Sequence, residues 1–411
     1  MTEDVRAALL DWLQDAWNPE LSLVEWRKRL AEAGWATPTW PARLGGRDLP
    51  ASAAGLVAAT LAEFGAAGPP EGVGMSLAAP TLLEHGRDQL QTRFLPPTVT
   101  GEITWCQLFS EPGAGSDLAG LTTKAEFADR GWRVSGQKVW NTSAHHADYG
   151  LLVARTNWDV PKHHGLTYFV LPMKQPGVEA RPLRQANGHA SFNEVFLDDA
   201  RIPASFVIGD VDGGWRVALA TLAHERRVAI PSPPAVHREG RVWREATEEA
   251  LHLRAPYRWY PQRAGRVDLV IKRAKETGKI NDPVVRQEIA KLLILARCAE
   301  WTARRARAAQ VAGRPQGPEG SLGKLAASHV ARAAARVHTL ISGADAMLSG
   351  DDGPENGVIA EILISVPAVS IAGGTDEIQR NIIAERVLRM PKEPGNDADR
   401  PFREVPRNVA G

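Results

Sequence analysis

Apolar positions near the start of the chain recur at the spacing of an α-helix. They fall three or four residues apart, at Val5, Ala8, Leu9, Trp12, Leu13 and Ala16. Ser22 followed by Glu25 is the pattern of a capping box, which predicts the start of a second helix. Gly34 predicts the end of that helix, because glycine readily adopts the left-handed conformation that terminates helices.

Two further helices complete this first region. Residues 53–64 form one apolar-rich stretch, which Gly65 closes. Asp88 predicts the cap of a short helix that ends before Pro96 and Pro97. We therefore expect residues 1–104 to form an N-terminal α-helical domain.

The pattern changes to short strands between residues 105 and 213. Strand-like runs occupy residues 132–134, 138–140, 151–155, 166–171 and 193–197. They are separated by turn residues: Gly136, Pro172, Gly177 and Pro203. Short strands at regular intervals predict a middle β domain, either a small barrel or a sandwich.

Helical periodicity returns between residues 214 and 390. The amphipathic, alanine-rich stretches are residues 214–229, 283–312, 321–349 and 354–370. Long helices with short connections predict an antiparallel bundle. Residues 391–411 are rich in Pro, Asp and Arg, which predicts an extended tail on the surface.

Composition narrows the classes of function. The formal net charge of +1 at pH 7 gives no support to nucleic-acid binding or to a membrane-surface role. No apolar run is long enough to cross a bilayer, and the acidic N-terminus is unlike a secretory signal. Two cysteines make no disulfide framework, and the histidine pairs at 145–146 and 163–164 lack partners at metal-binding spacing. We expect a cytoplasmic protein without a metal.

Residues 107–117, QLFSEPGAGSD, form the first segment with chemical potential. Two glycines and a serine leave backbone N–H groups free to approach a phosphate closely. A plain surface turn is the alternative interpretation of such a loop.

The second segment, residues 136–142, reads GQKVWNT and follows a strand pattern. Strand alternation places Trp140 and Thr142 on one face. An indole there offers a flat wall that excludes water, and the hydroxyl offers a hydrogen bond to a ring nitrogen. The alternative is an exposed strand that carries an isolated tryptophan.

The third segment, residues 371–386, reads IAGGTDEIQRNIIAER. The glycine pair permits a tight turn, and Thr375 is placed to cap the helix that follows. Free N–H groups at a helix start suit an anionic group such as a pyrophosphate. The alternative is an ordinary capped helix within the bundle.

In this order, the three segments resemble the sequence signatures of the acyl-CoA dehydrogenase family, from about residue 25 to about residue 394. The resemblance implies a multidomain α and β fold with an N-terminal α-helical domain, a middle β-barrel domain and a C-terminal four-helix bundle. It implies FAD as the cofactor. The implied reaction introduces a double bond between the α and β carbons of an acyl-CoA thioester, in fatty acid or steroid catabolism.

The resemblance also implies roles for individual residues. Those along the flavin ring are Gln107, Leu108 and Ser110, with Trp140 packed against it and Thr142 bonded on its N5 side. Ser116 is the implied contact to the FAD pyrophosphate, and Gly115, Thr375 and Glu377 are further implied FAD-binding residues. The implied substrate contacts are Ser116, Arg226 and Gly373.

One departure from the family pattern concerns the catalytic base. Many members carry a glutamate where this chain has Gly373, which takes no proton. Members of the isovaleryl and long-chain types supply the base from a Leu-x-x-Glu-Arg segment instead, and residues 222–226 read LAHER. The resemblance therefore implies Glu225 as the base that removes the α-proton. A structural Glu-Arg pair on a helix is the alternative.

A second departure lies in the C-terminal region, where the common Arg-x-x-Phe-Gly pattern is replaced by residues 278–287, GKINDPVVRQ. We expect Arg286 to contact the phosphates of FAD or of CoA from the neighbouring subunit, because a guanidinium suits phosphate oxygens. Gln287 beside it is a further expected FAD contact. This variation resembles a bacterial subgroup linked to bulky, branched or steroid-derived acyl groups.

The resemblance implies an electron-transfer flavoprotein as electron acceptor and a homotetramer or dimer of dimers, with a heterotetramer left open. Three alternatives to a catalytic dehydrogenase also stay open. One is an acyl-CoA oxidase, one is a non-catalytic partner subunit of a heteromeric dehydrogenase, and one is a DNA-binding relative, which the near-neutral charge disfavours.

Overall fold

The structure is a computed structural model that describes residues 2–225, 238–311, 314, 317, 319–392, 394, 397 and 399–406. The described residues divide into two compact units. Unit 1 lies within Met1–Leu183, Ala190–Pro256 and Asn396–Gly411. Unit 2 lies within Arg184–His189 and Tyr257–Gly395.

Helices open unit 1: α1 Thr2–Ala16, α2 Leu23–Glu32, α3 Ser52–Phe64, α4 Ala79–His85 and α5 Asp88–Thr100. The capping box predicted at the start of α2 is confirmed, because the Ser22 side chain accepts from the Glu25 backbone and Glu25 returns the contact. The buried faces of α1 and α2 meet at Leu9, Leu13 and Trp26. The predicted helical N-terminal region is therefore present.

The predicted end of α5 is wrong. The helix continues through Pro96 and Pro97 to Thr100. Each proline removes one backbone donor, but burial of Phe94 and Val99 holds this stretch against the rest of unit 1. The hydroxyl of Thr98 also donates to the Phe94 carbonyl oxygen at 2.6 Å. Tertiary packing thus outweighs the local cost of the two prolines.

The strands of unit 1 form one eight-stranded sheet. They are β1 Trp105–Leu108, β2 Lys124–Ala128, β3 Gly131–Thr142, β4 Tyr149–Arg155, β5 Leu166–Pro172, β6 Val178–Leu183, β7 Phe192–Pro203 and β8 Val207–Ile208. The order is β6-β7-β3-β2-β4-β5-β8, and β1 pairs in parallel with β4. The buried runs of β4 and β5 supply much of the core of the sheet.

Gly136 does not separate two strands, as its turn character predicted. It lies within the continuous strand β3, at a shift in register against β7. A Cβ atom there would lie 2.5 Å from Thr123 Oγ1 and 2.8 Å from Thr123 Cα. Glycine is required for this close approach of backbones and not for a reversal of the chain.

Two more helices of unit 1 follow the sheet in sequence. Helix α6, Gly214–Glu225, begins so close to β5 that a Cβ atom at Gly214 would lie 2.6 Å from the backbone of Thr167 and Tyr168. Helix α7, Arg241–Arg254, buries Val242. Residues 226–229 of the predicted helix 214–229 lie outside the described residues.

Unit 2 is helical, as predicted. Its helices are α8 Tyr260–Arg263, α9 Val267–Glu276, α10 Pro283–Val311, α11 Glu319–Ser342, α12 Val358–Ser365 and α13 Asp376–Arg386. Apolar side chains between α9, α10 and α11 form its largest core, including Val270, Leu292 and Val337. The expected boundaries 1–104, 105–213, 214–390 and 391–411 stay predictions.

Helical regions before and after a central sheet domain confirm the predicted fold class. Within the part of the chain that the structure describes, no helix combines the length and the apolar character that crossing a membrane requires.

The C-terminal residues assigned to unit 1 include one buried aromatic side chain, Phe402, which is 1% exposed.

Candidate active site

Strand β1 connects the strand-like and helical parts of the site. The side chain of Gln107 donates from Nε2 to Glu225 Oε2 at 3.1 Å. Its backbone oxygen accepts from Asn141 Nδ2 at 2.7 Å. One residue of β1 therefore ties the last residue of α6 to the part of β3 that carries Trp140 and Thr142.

Glu225 ends a helix whose position is fixed one turn earlier. Thr221 is buried, and its hydroxyl lies 2.9 Å from Thr81 Oγ1 and 3.0 Å from Tyr168 Oη. Burial raises the pKa of Tyr168 and outweighs the opposing hydrogen bonds with the threonine hydroxyls, so the phenol stays neutral. Residues four apart share a helix face, so these contacts orient the face that bears Glu225. Glu225 itself is partly exposed.

The Trp140 side chain stands out from the sheet. Its indole is 57% exposed, and its backbone has φ +66° at a second shift in register between β3 and β7. A bulky residue rarely adopts this left-handed conformation. Asn141 is buried and Thr142 half-buried. Because the register shift at Trp140 interrupts the strand alternation, a shared face for Trp140 and Thr142 stays a prediction.

Buried polar contacts hold this bulge in place. Asn193 Nδ2 donates to the Asn141 backbone oxygen at 2.8 Å, beside the contact from Asn141 to Gln107. The Oδ1 atom of Asn141 is buried and accepts no hydrogen bond from the described residues. The Phe192 ring meets the Trp140 indole edge to face, with centroids 5.7 Å apart. These contacts hold the bulge, and with it the exposed Trp140 indole, in a fixed position.

The glycine-rich loop that follows β1 is anchored by an ion pair in the protein interior. Lys138 Nζ lies 2.9 Å from Glu111 Oε1, and the two side chains are 0% and 6% exposed. Glu111 also accepts from the backbone N–H groups of Thr122 and Thr123, at 2.7 and 2.8 Å. Desolvation raises the pKa of Glu111, but Lys138 and these donors outweigh it and lower the pKa to about 2.

The tip of this loop is open. Gly113, Gly115 and Ser116 are exposed, and a Cβ atom at either glycine would meet no atom within 4 Å. Among the described residues, the N–H groups of Gly115 and Ser116 donate no hydrogen bond. Free N–H groups and a hydroxyl are what a pyrophosphate requires, and an exposed indole is what a flavin ring requires. The residues of unit 1 therefore fit FAD.

The other predicted residues of unit 1 are less distinctive. Leu108 is fully buried in β1, so its side chain belongs to the core of the sheet. Ser110 is partly exposed, and its backbone oxygen accepts from Val139 N–H at 2.9 Å. Arg226 lies outside the described residues.

Unit 2 carries the remaining predicted residues. The predicted cap is confirmed, since Thr375 Oγ1 accepts from Ile378 N–H at 3.2 Å. Gly373 has φ +68° and open space around it, and Glu377 is exposed on the first turn of α13. On α10, the exposed residues include Arg286 and Gln287.

Sequence reasoning missed several residues that organise these segments. Lys138 and Asn141 each lie within a quoted motif, but only the fold shows that both are buried. Asp376 in unit 2 is buried as well, and it pairs with Lys324 and Arg332 at 3.2 and 3.0 Å. The polar residues of β3 gave no signal that Lys138 in particular would be buried.

No group of three or more His, Cys, Asp or Glu side chains suited to a metal ion occurs among the described residues.

The site combines an exposed indole, a loop with free N–H groups and a carboxylate. A sheet domain that lies between helical regions in the sequence carries all three. This combination is typical of a flavin-dependent oxidoreductase.

Comparison with known proteins identifies the family. The profiles of the acyl-CoA dehydrogenase N-terminal, middle and C-terminal domains match residues 2–102, 106–200 and 263–388. The chain is 34% identical to acyl-CoA dehydrogenase IpdE1 of Mycobacterium tuberculosis, over 95% of this chain and 98% of the relative. The chain therefore belongs to the acyl-CoA dehydrogenase family, whose members are FAD-binding flavoproteins, and it is an acyl-CoA dehydrogenase oxidoreductase.

A longer relative matches over only part of its length. The chain is 38% identical to acyl-CoA dehydrogenase FadE34 of M. tuberculosis over 88% of this chain, but it spans only 46% of that relative. Among solved structures, the ChsE4-ChsE5 complex from M. tuberculosis matches with a TM-score of 0.65 at 25% identity, over 95% of this chain and 98% of the other. A glutaryl-coenzyme A dehydrogenase shares the fold, with a TM-score of 0.61 at 22% identity, over 97% and 96%.

Proposed function

We propose that Glu225 is the base that removes the α-proton of the acyl-CoA thioester. The single observation that carries this proposal is the hydrogen bond from Gln107 Nε2 to Glu225 Oε2, at 3.1 Å. Gln107 also accepts from Asn141, the neighbour of the exposed Trp140 indole. A carboxylate, an amide and an indole platform thus belong to one connected set of contacts.

The contacts of Glu225 suit proton transfer. Gln107 donates to one carboxylate oxygen and so sets the plane of the group. The other oxygen accepts no hydrogen bond from the described residues, which leaves it available for the proton. The electron pair of the Cα–H bond then forms the Cα=Cβ double bond, and the hydrogen on Cβ leaves with its own electron pair. FAD, when bound, is the two-electron acceptor of that hydride.

In this proposal, the other predicted site residues of unit 1 bind FAD and exclude water from it. The Trp140 indole and the Thr142 hydroxyl would hold the flavin ring, by packing and by a hydrogen bond. The free N–H groups at Gly115 and Ser116 would hold the FAD pyrophosphate. By resemblance, Thr375, Glu377, Arg286 and Gln287 are further FAD contacts, and Arg226 and Gly373 contact the substrate.

The test replaces Glu225 with Gln and follows flavin bleaching by acyl-CoA without oxygen. Loss of a general base predicts a rate lower by about 100- to 10,000-fold with the flavin content unchanged. Glu84→Gln is the matched control, because Glu84 contacts the adjacent His224 and its side chain is 54% exposed. A wild-type bleaching rate in Glu225→Gln would remove Glu225 from this role.

The acyl group is to be identified with the same assay. A panel of straight, branched, cyclic and steroid-side-chain acyl-CoA thioesters, scored by bleaching, ranks the substrates. An electron-transfer flavoprotein is the proposed acceptor, so the reduced enzyme should reduce it faster than it reduces oxygen. Peroxide formed at the rate of turnover would instead identify an oxidase.

For the assembly we propose contact with a second copy through α10. Ile294 and Trp301, seven residues apart and so on one face, are 62% and 59% exposed. Large apolar side chains in such a row usually mark a protein contact. Trp301→Glu should lower the mass measured by light scattering, whereas Ala303→Glu, on another face, should not. The ChsE4-ChsE5 neighbour is a complex of two different chains, so a partner subunit that co-purifies would point to a heteromer.

A further inference from the structure

The C-terminal residues of unit 1 are fixed on the sheet domain by the Phe402 side chain. Phe402 is 1% exposed, and its ring centroid lies 3.4 Å from the guanidinium carbon of Arg155. Its backbone N–H donates to the Val160 oxygen at 2.9 Å, and that of Arg403 donates to the Trp158 oxygen at 3.1 Å. This tail segment, Asp397 and residues 399–404, is thus bound by packing and by backbone hydrogen bonds.

The Arg155 guanidinium carries this contact to the glycine-rich loop. Arg155 is fully buried, and it donates to the backbone oxygens of Ala119 and Leu121 at 2.6 and 3.2 Å. These two residues lie two and four positions after Asp117, where the loop ends. A buried guanidinium is costly unless its hydrogens and its charge are satisfied. The face of the Phe402 ring helps to balance the charge of Arg155 through a cation–π contact.

A second connection runs through Lys162. Its ammonium lies 3.1 Å from the Asp117 carboxylate and 2.6 Å from Asp397 Oδ2. The Lys162 side chain is only 14% exposed, whereas the carboxylates of Asp117 and Asp397 are more open to solvent. The tail segment therefore reaches the last residue of the glycine-rich loop through one intervening side chain.

We propose that the tail segment is a strap that sets the position of the glycine-rich loop and thereby the affinity for FAD. The loop is then held at both ends: at Glu111 by the ion pair with Lys138, and at Asp117 by the strap. The inference rests on the proposed function, in which the N–H groups at Gly115 and Ser116 face the FAD pyrophosphate. The tail's part in holding FAD is a positioning one.

The experiment measures three properties of the full-length protein. They are the dissociation constant for FAD, from titration of flavin-free protein, the hydrogen exchange of residues 113–121, and the melting temperature without FAD. The variants are Phe402→Ala and the milder Asp397→Asn. Asp399→Asn is the matched control, since Asp399 is exposed and makes no ion pair with the described residues.

We expect Phe402→Ala to weaken FAD binding by about tenfold, equivalent to about 1.4 kcal/mol. Exchange in residues 113–121 should accelerate. Asp397→Asn should shift both in the same direction by a smaller factor, while Asp399→Asn leaves both unchanged. Because Asp397 is near the surface, its variant gives a result even where Phe402→Ala lowers stability.

Gly115→Val separates the strap from the proposed phosphate site. A Cβ atom there meets no protein atom within 4 Å, so the added side chain starts in open space on the side that the proposal assigns to the cofactor. If Gly115→Val weakens FAD binding but both tail variants leave binding and exchange unchanged, the strap is wrong. If the tail variants accelerate exchange and FAD binding stays constant, control of affinity by the tail is refuted. A Gly115→Val protein with normal FAD affinity would refute the phosphate assignment itself.

Discussion

The ion pair between Glu111 and Lys138 makes a sharp prediction about stability. Lys138→Met removes the ammonium that lies 2.9 Å from the Glu111 carboxylate and 3.0 Å from the Phe109 oxygen. A buried carboxylate without its partner costs about 3–5 kcal/mol of folding free energy. We expect Lys138→Met to lower the free energy of unfolding at pH 7 by that amount, and therefore to unfold at a lower urea concentration.

The pKa of Glu111 gives an independent magnitude. It falls from 4.5 to about 2 on folding. At about 1.4 kcal/mol for each pH unit, ionised Glu111 contributes about 3 kcal/mol to stability. A depressed folded-state pKa means that this contribution is complete above pH 4.5 and is lost as the pH falls towards 2. The wild-type protein should therefore lose stability between those values, and Lys138→Met should lose much less.

The assay is urea unfolding followed by near-ultraviolet circular dichroism at a series of pH values from 7 to 3. Arg181→Met is the matched control, because Arg181 pairs with Glu179 at 2.7 Å on the surface, where both side chains are more than half exposed. Such a pair contributes about 1 kcal/mol or less. If Lys138→Met had the wild-type midpoint and pH slope, the charged, interior pair would not exist in the folded protein.

Three further variants test particular contacts. Trp26→Phe loses an indole hydrogen bond of 2.7 Å in the core, and we expect a loss of about 1–3 kcal/mol in thermal unfolding. Thr375→Ala removes the cap of α13 and should cost about 1 kcal/mol, which Thr375→Ser should restore. Gly136→Ala forces a methyl group against Thr123 and should cost about 1–3 kcal/mol, whereas Gly55→Ala, in open space on α3, should stabilise the protein; equal melting temperatures would contradict the close approach at Gly136.

Local patterns in the sequence predicted much of the fold. The capping box at Ser22, the cap at Thr375 and four of the eight strands, β3, β4, β5 and β7, depend on neighbours within a few residues, and such signals are visible in sequence. Helices α7 and α9 were not predicted, because their charge-rich sequences bury few side chains. The continuation of α5 past Pro96 depends on packing against distant residues, which no local rule contains.

The candidate site was less accessible to prediction from sequence. Resemblance supplied Gln107 and Glu225 as separate residues, but their contact joins positions 118 residues apart. The pairing of Lys138 with Glu111 spans 27 residues and depends on the burial of both. Neither contact follows from periodicity, because both require strands and helices that meet only in the folded protein.

The left-handed backbone at Trp140 has a consequence for how this region can be altered. A bulky residue held at φ +66° stores on the order of 1–3 kcal/mol of conformational energy. Glycine would release that energy and delete the indole. We therefore expect the Trp140→Gly protein to unfold at a higher temperature but to lose its bound flavin. Selecting variants for heat resistance alone would therefore favour the loss of the indole that we propose to contact the flavin.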